Sequence, residues 1–204
     1  MEQPASLSIE SLSVRAMRNL EQVDLTPSPR FNVVAGDNGQ GKTNLLEAIY
    51  VAATSKSFRS GKPGELVTHG GDIASVRISV RESSGDEGDA EIARREQSVG
   101  VRAGHRLAKI DGKRPPTLAA YAVATPVVVF HPGEVALSMG ASGERRRLLD
   151  RIGLYMNPSS LAELDAYARS LRERQRALEV RGPHATDLPD WEELIARHGL
   201  AVTA

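Results

Sequence analysis

Leu7 and Ile9 alternate with polar residues, and the alternation resumes out of phase at Leu12 and Val14. Period-two patterning of this kind predicts a half-buried strand. Val23 and Leu25 make a second short alternating piece, closed by Pro27 and Pro29. The compact apolar run Phe31-Asn32-Val33-Val34-Ala35 ends at Gly36 and predicts a buried strand. From about Thr43 the period changes. Leu45, Leu46, Ile49, Ala52 and Ala53 recur at helical spacing and predict a helix with an apolar stripe. Ser57 to Gly71 is rich in glycine and predicts a loop. Val76, Ile78 and Val80 alternate with Arg77, Ser79 and Arg81 as a strand does. Glu82 to Gln97 is polar enough to read as a solvated hairpin tip or short disordered loop.

Val99 to Val101 and Leu107 to Ile110 predict further antiparallel strands, with Asp111-Gly112 as a turn. Pro126 to Phe130 predicts another buried strand, stopped by His131-Pro132-Gly133. Beyond it the chain reads as helix. One helix spans about Gly143 to Leu154 and is broken at Asn157-Pro158-Ser159, with Ser159 or Ser160 as the next N-cap. Leu161, Leu164, Ala168, Leu171 and Leu178 then fall at heptad spacing for under three heptads. A packed helical hairpin arm is the expectation. Gly182-Pro183 ends it, and a last helix begins at Trp191.

Composition narrows the function classes. The 204 residues carry 26 Lys+Arg against 26 Asp+Glu, so contact with nucleic acid requires a local patch. The chain has no Cys, which excludes disulfides, zinc knuckles and thiol nucleophiles. Its few aromatics (one Trp, four Tyr, three Phe) argue against a stacking platform for single strands. No apolar run approaches the ~18–20 residues that cross a bilayer, and the polar N-terminus carries no secretory signal. The expected address is cytoplasmic.

The chemistry is concentrated in Gly36-Asp37-Asn38-Gly39-Gln40-Gly41-Lys42-Thr43, a full match to G-x-x-x-x-G-K-[ST]. Glycines let successive backbone N–H groups turn towards one point, and the following helix N-terminus adds its positive end. Lys42 is then expected on the β- and γ-phosphates of a nucleotide and the Thr43 hydroxyl on Mg²⁺. The guanine motif N-K-x-D is absent, and Asp150-Arg151-Ile152-Gly153 lies in an arginine-rich helical stretch. The motif alone leaves open a phosphotransferase in which Arg145, Arg146 and Arg147 close as a lid.

Several motifs in order resemble the RecF family, SMC-like ABC-type ATPases of bacterial recombinational repair. The string Asn38 to Tyr50, NGQGKTNLLEAIY, is similar to that family's extended P-loop. Arg18-Asn19-Leu20 stands where the family carries F-R-N, with Met17 replacing Phe, and Lys56-Ser57-Phe58-Arg59 resembles its S-F-R segment. Val129-Phe130-His131-Pro132 through Gly140 to Arg145-Arg146 and Leu149-Asp150 resembles F-x-P-[DE]…G…R-R-x-F-[LI]-D. Gly133, Ser142 and Leu148 depart from that signature. No four-residue apolar run followed by an acid pair is found, nor an LSxGQ-type segment, so the chain reads as an incomplete piece of such a protein.

The resemblance implies an α/β P-loop ATPase head of ABC/SMC type. Residues 1–134 would form the N-terminal lobe and residues 135–204 the start of an inserted helical lever arm. It implies ATP and Mg²⁺ as cofactors, and a homodimer of heads that forms with ATP and clamps duplex DNA near single strand. Partner recombination mediator proteins, RecA loading and the SOS response belong to the same picture. Arg59 is expected near the γ-phosphate, and Arg18 and Asn19 near the phosphates or base. Arg145, Arg146, Arg147 and Arg151 are candidate DNA contacts, although helical spacing puts only Arg147 and Arg151 on one face. His131 lies where related ATPases place a metal-sensing Gln. The chain alone is expected to bind nucleotide weakly, with no measurable ATPase activity. A vestigial, purely structural SMC-like arm is the remaining alternative. Without the strand that normally flanks the P-loop strand, Phe31 to Ala35 would be left with an unpaired edge and exposed apolar side chains.

Overall fold

A computed structural model of the chain describes residues 6–84, 91–131, 140, 142–157 and 160–203. For Glu144, Arg147, Asp150, Arg151, Leu161, Val202 and Thr203 it describes the backbone only. The chain divides into two compact units, Met1–Phe130 and His131–Ala204.

The first unit is built on a five-stranded antiparallel sheet in the order β2-β1-β3-β4-β5. Its strands are β1 (Ser6–Met17), β2 (Leu20–Leu25), β3 (Ile73–Ser84), β4 (Glu91–Arg102) and β5 (His105–Ile110). The phase shift between Ile9 and Leu12 is a register irregularity between Ile9 and Ser11, which lets both halves of β1 stay in one strand. Cross-strand register lines Val23, Val14, Val76, Val99 and Ala108 into one row across all five strands. That row, apart from the half-buried Val23 at its edge, and the neighbouring Leu12 and Ile78 are buried together with Ala48, Val51, Ala52 and Ala53 of helix α1 (Lys42–Thr54). Helix α2 (Leu118–Val123), which the hydrophobic pattern did not predict, places Tyr121 in the same core. The Tyr121 hydroxyl donates to Ala52 O at 2.5 Å, and the buried Gln97 Nε2 donates to Tyr121 O at 3.0 Å.

Three expectations need correction. The polar segment 82–97 is not a loop throughout: β3 runs to Ser84 and β4 begins at Glu91, with only residues 85–90 outside the described set. Polarity there marks a solvated sheet face, on which Arg94 pairs with Glu10 at 3.0 Å and Glu96 with Arg77 at 3.5 Å while the backbone ladder continues. Phe31–Ala35 and Pro126–Phe130 are not strands. Both are irregular, with Phe31 88% and Phe130 92% exposed. Neither belongs to the sheet, so no neighbouring strand supplies the ladder that an extended apolar segment needs.

The second unit contains α3 (Ser142–Met156), α4 (Ser160–Arg181) and α5 (Leu188–Thr203). The hydrogen bond between His198 and Glu163 and the ion pairs Arg174–Glu192 and Arg181–Asp187 step in opposite directions along α4 and α5, so the two form an antiparallel hairpin. The buried seam of α4 runs through Ser170 and Ala177, whereas Leu171 is exposed. Small residues win that face because the helices approach closely: a Cβ on Gly199 would lie 3.3 Å from the Tyr167 ring. Among the described residues, no helix is long and apolar enough to cross a membrane.

Candidate functional site

The segment 36–43 turns as its glycines predict. Gly36, Gly39 and Gly41 take φ of 146°, 86° and 97°, conformations that side chains with a Cβ rarely adopt. Gly41 is the N-cap of α1, which has neither a side-chain cap nor an acidic residue in its first turn. The positive end of that helix is therefore not neutralised by the chain itself, which is what an external anion requires. The Lys42 ammonium lies back over the loop and donates to Gly36 O at 2.7 Å and Asp37 O at 2.6 Å. Gln40 N donates to Asp37 O at 3.4 Å, so Asp37 to Gln40 closes as a turn. Thr43 is exposed on the first turn of α1.

The β1–β2 hairpin delivers Arg18 and Asn19 to this loop. Arg18 holds φ of 57°, a strained value for a residue with a Cβ. Its surroundings impose it: Arg18 N donates to Leu66 O at 2.8 Å, and its guanidinium grips Glu47 with Nε at 3.1 Å and Nη2 at 2.9 Å. Asn19 Nδ2 donates to Gly39 O at 2.9 Å and its Oδ1 accepts from Asn44 Nδ2 at 2.6 Å. The packing is tight, since a Cβ on Gly41 would stand 2.8 Å from Asn19 Oδ1 and 2.9 Å from Leu20 Cδ2.

Arg59 reaches the same cluster from the loop after α1. Its Nη1 donates to Asn44 Oδ1 at 2.6 Å and to Glu47 Oε2 at 3.3 Å. Ser57 Oγ donates to Glu47 Oε1 at 2.5 Å and accepts from the backbone N–H groups of Arg59 and Ser60. Phe58 lies edge-on to Tyr50 with ring centroids 5.5 Å apart. Glu47 is fully buried. Burial pushes its pKa up, but the hydrogen bonds from Arg18 and Ser57 and the charges of Arg18 and Arg59 outweigh that and hold it below the ordinary carboxylate range.

Arg18, Asn19, Arg59 and the loop 36–43 are thus brought together. Arg145 and Arg146 belong to the second unit, exposed on α3, where Arg145 Nη1 donates to Gly140 O at 2.9 Å and Arg146 Nη2 to Ser142 Oγ at 3.2 Å. The side chains of Arg147 and Arg151 lie outside the described residues. His131 is half-buried at the start of the second unit. Among the described residues, no group of three or more His, Asp and Glu could hold a metal ion. Sequence reasoning gave no role to Asn44, Glu47 or Ser57. One signal was available: Glu47 is a charge set between Leu46 and Ala48 in an apolar helix, three residues from Asn44 on the same face.

Comparison with known proteins fits this geometry. Residues 8–120 match the model of the RecF/RecN/SMC N terminal domain. The chain is 42% identical over 177 residues to a DNA replication and repair protein RecF from Anaeromyxobacter sp. (strain Fw109-5), which covers 87% of this chain and 46% of that protein. Against the RecF of Myxococcus xanthus the identity is 39% over 197 residues, or 94% of this chain and 49% of the relative. A solved structure of the recombination mediator protein RecF with ATP, from the RecFOR pathway, superposes with a TM-score of 0.83 at 26% identity, covering 97% of this chain and 52% of that one. The chain therefore spans about half the length of the relatives it matches. The phosphotransferase reading falls away, and the fold is that of an ABC/SMC-type P-loop ATPase. With its P-loop packed on the β1–β2 hairpin and its sequence match over 8–120, the chain belongs to the RecF/RecN/SMC N-terminal domain family and is similar to RecF over about half of RecF's length.

Proposed function

We propose that this chain is a RecF-like, ATP-binding module of DNA replication and repair, acting in the cytoplasm. The observation that carries the reading is the uncapped α1 N-terminus, with Lys42 and three left-handed glycines wrapped around it. Loop N–H groups and the helix end bind the phosphates, and Lys42 exchanges its carbonyl partners for phosphate oxygens. Thr43 is the residue that would hold Mg²⁺, whose bound charge offsets that of the phosphates. Arg59 is the second phosphate contact, while Arg18 and Asn19 shape the loop from the hairpin side.

Residues 1–134 act as the N-terminal lobe of an ATPase head and residues 135–204 as the start of its lever arm. ATP favours pairing of two heads, and the paired heads clamp duplex DNA beside single strand, with Arg145, Arg146, Arg147 and Arg151 as the candidates from which phosphate contacts are drawn. Recombination mediators, RecA loading and the SOS response are the setting in which such a clamp works. Hydrolysis is not expected of these 204 residues alone, because they contain no acid pair after an apolar strand to activate water.

Calorimetry with Mg-ATP tests the core of this reading. The 204-residue chain is expected to release or absorb heat on titration, and Lys42→Ala to abolish the signal while its melting temperature stays unchanged. A wild-type chain that is folded yet silent would refute nucleotide binding and favour the vestigial structural arm.

A further inference from the structure

The cluster beside the phosphate loop holds two guanidinium cations on one buried carboxylate, and the two are held unequally. Arg18 binds Glu47 through two nitrogens, at 3.1 and 2.9 Å, and its side chain is 19% exposed. Arg59 offers one nitrogen at 3.3 Å, and its side chain is 44% exposed. Ser57 supplies a further hydrogen bond at 2.5 Å. Glu47 would therefore remain paired and hydrogen-bonded if Arg59 left. Had Arg59 been its sole partner, the departure would strand a buried charge, a state that folded proteins avoid.

The same Arg59 nitrogen reaches the loop through an unbroken hydrogen-bonded chain. Arg59 Nη1 donates to Asn44 Oδ1, Asn44 Nδ2 to Asn19 Oδ1, and Asn19 Nδ2 to Gly39 O. The surplus positive charge of the cluster is thus stationed next to the loop and geometrically tied to it.

We propose that Glu47 is a positioning residue for recognition of the terminal phosphate: it stores Arg59 as an exchangeable cation, with Arg18 as its permanent counter-ion. A terminal phosphate draws Arg59 off Glu47 and Asn44, while Arg18 and Ser57 keep the carboxylate satisfied. Nucleotides lacking that phosphate leave Arg59 in store. The proposal rests on the reading of Gly36–Thr43 as a triphosphate site and goes further, assigning discrimination between tri- and diphosphate to a side chain that touches neither.

The test compares ATP and ADP affinities of the whole chain by calorimetry. Arg59→Ala is expected to reduce the preference for ATP about tenfold, the share of one charge-assisted hydrogen bond. Glu47→Gln keeps the side-chain length but removes the charge that holds Arg59 in store; because that hold is made without the terminal phosphate and broken with it, the variant should raise the preference for ATP several-fold. The same change made on Arg59→Ala should leave the ratio where Arg59→Ala puts it, since Glu47 acts through that one guanidinium. Asn44→Ala, which leaves Glu47 and its partners in place, also loosens the hold on Arg59, should raise the preference too, and carries the test alone if Glu47→Gln does not fold. The proposal is overturned if Glu47→Gln and Asn44→Ala keep or lower the wild-type ratio, or if Glu47→Gln still shifts the ratio once Arg59 is Ala. Failure of the underlying site reads differently: neither nucleotide binds the wild type, or Lys42→Ala binds as the wild type does.

Discussion

Gly41 offers the sharpest perturbation of the phosphate loop, because it is caught between a conformational and a steric demand. Its φ of 97° lies in the left-handed region, where a Cβ costs ~1–2 kcal/mol. A methyl group there would also stand 2.8 Å from Asn19 Oδ1 and 2.9 Å from Leu20 Cδ2. Asn19 cannot swing aside freely, since its amide bridges Asn44 and Gly39 O. Breaking one of those bonds costs a further ~1 kcal/mol. Gly41→Ala should therefore cost ~2–3 kcal/mol, a loss of nucleotide affinity on the order of 30- to 150-fold. Gly39 provides the control: its φ is 86°, but nothing lies within 4 Å of a Cβ placed on it. Gly39→Ala should carry the backbone strain alone, on the order of 5- to 30-fold. Calorimetry with Mg-ATP on both variants, each checked by thermal melting, decides the matter. Equal losses for the two would refute the idea that the loop is wedged against the β1–β2 hairpin.

Two further predictions concern stability. The folded state holds the Glu47 carboxyl below its ordinary range, so its stabilising effect is present in full above the unfolded pKa of about 4.3 and is lost as pH falls through the lower folded value. Thermal melts from neutral pH down into that acid range should show the wild type losing stability more steeply than Glu47→Gln, and parallel curves would count against it. Phe31 is 88% exposed, so Phe31→Ser should leave stability within about 0.5 kcal/mol while lowering fluorescence of a dye that binds exposed apolar surface. A large drop in melting temperature would mean that residues 31–35 are buried in solution.

Much of the fold was legible because period-two and helical patterns report burial directly. The phase shift in β1 and the alternation of Val76 to Val80 reappear as the pattern predicts, whereas α1 buries Ala48 and Val51 beside the predicted Ala52 and Ala53 and leaves Leu46 of the predicted stripe exposed. The errors share a cause. Segments 31–35 and 126–130 carry the composition of buried strands, yet a strand exists only when a neighbour accepts its hydrogen bonds. Segment 82–97 carries the composition of a loop, yet a strand with one solvated face tolerates charge as long as the ladder is intact. Leu171 gave way to Ser170 and Ala177 because the distance between α4 and α5, not hydrophobicity, selects which residues face inward.

For the site, the amino-acid sequence alone determined the phosphate loop, since glycine positions and a following helix dictate local backbone conformation within a dozen residues. It also brought forward Arg18, Asn19 and Arg59 as residues to watch, through resemblance. Only the tertiary structure decided how they are wired: that one buried carboxylate holds both arginines, and that Asn44 and Asn19 connect Arg59 to Gly39. Those contacts join residues up to 29 positions apart, and a pairing energy between distant side chains leaves no periodic trace along the chain.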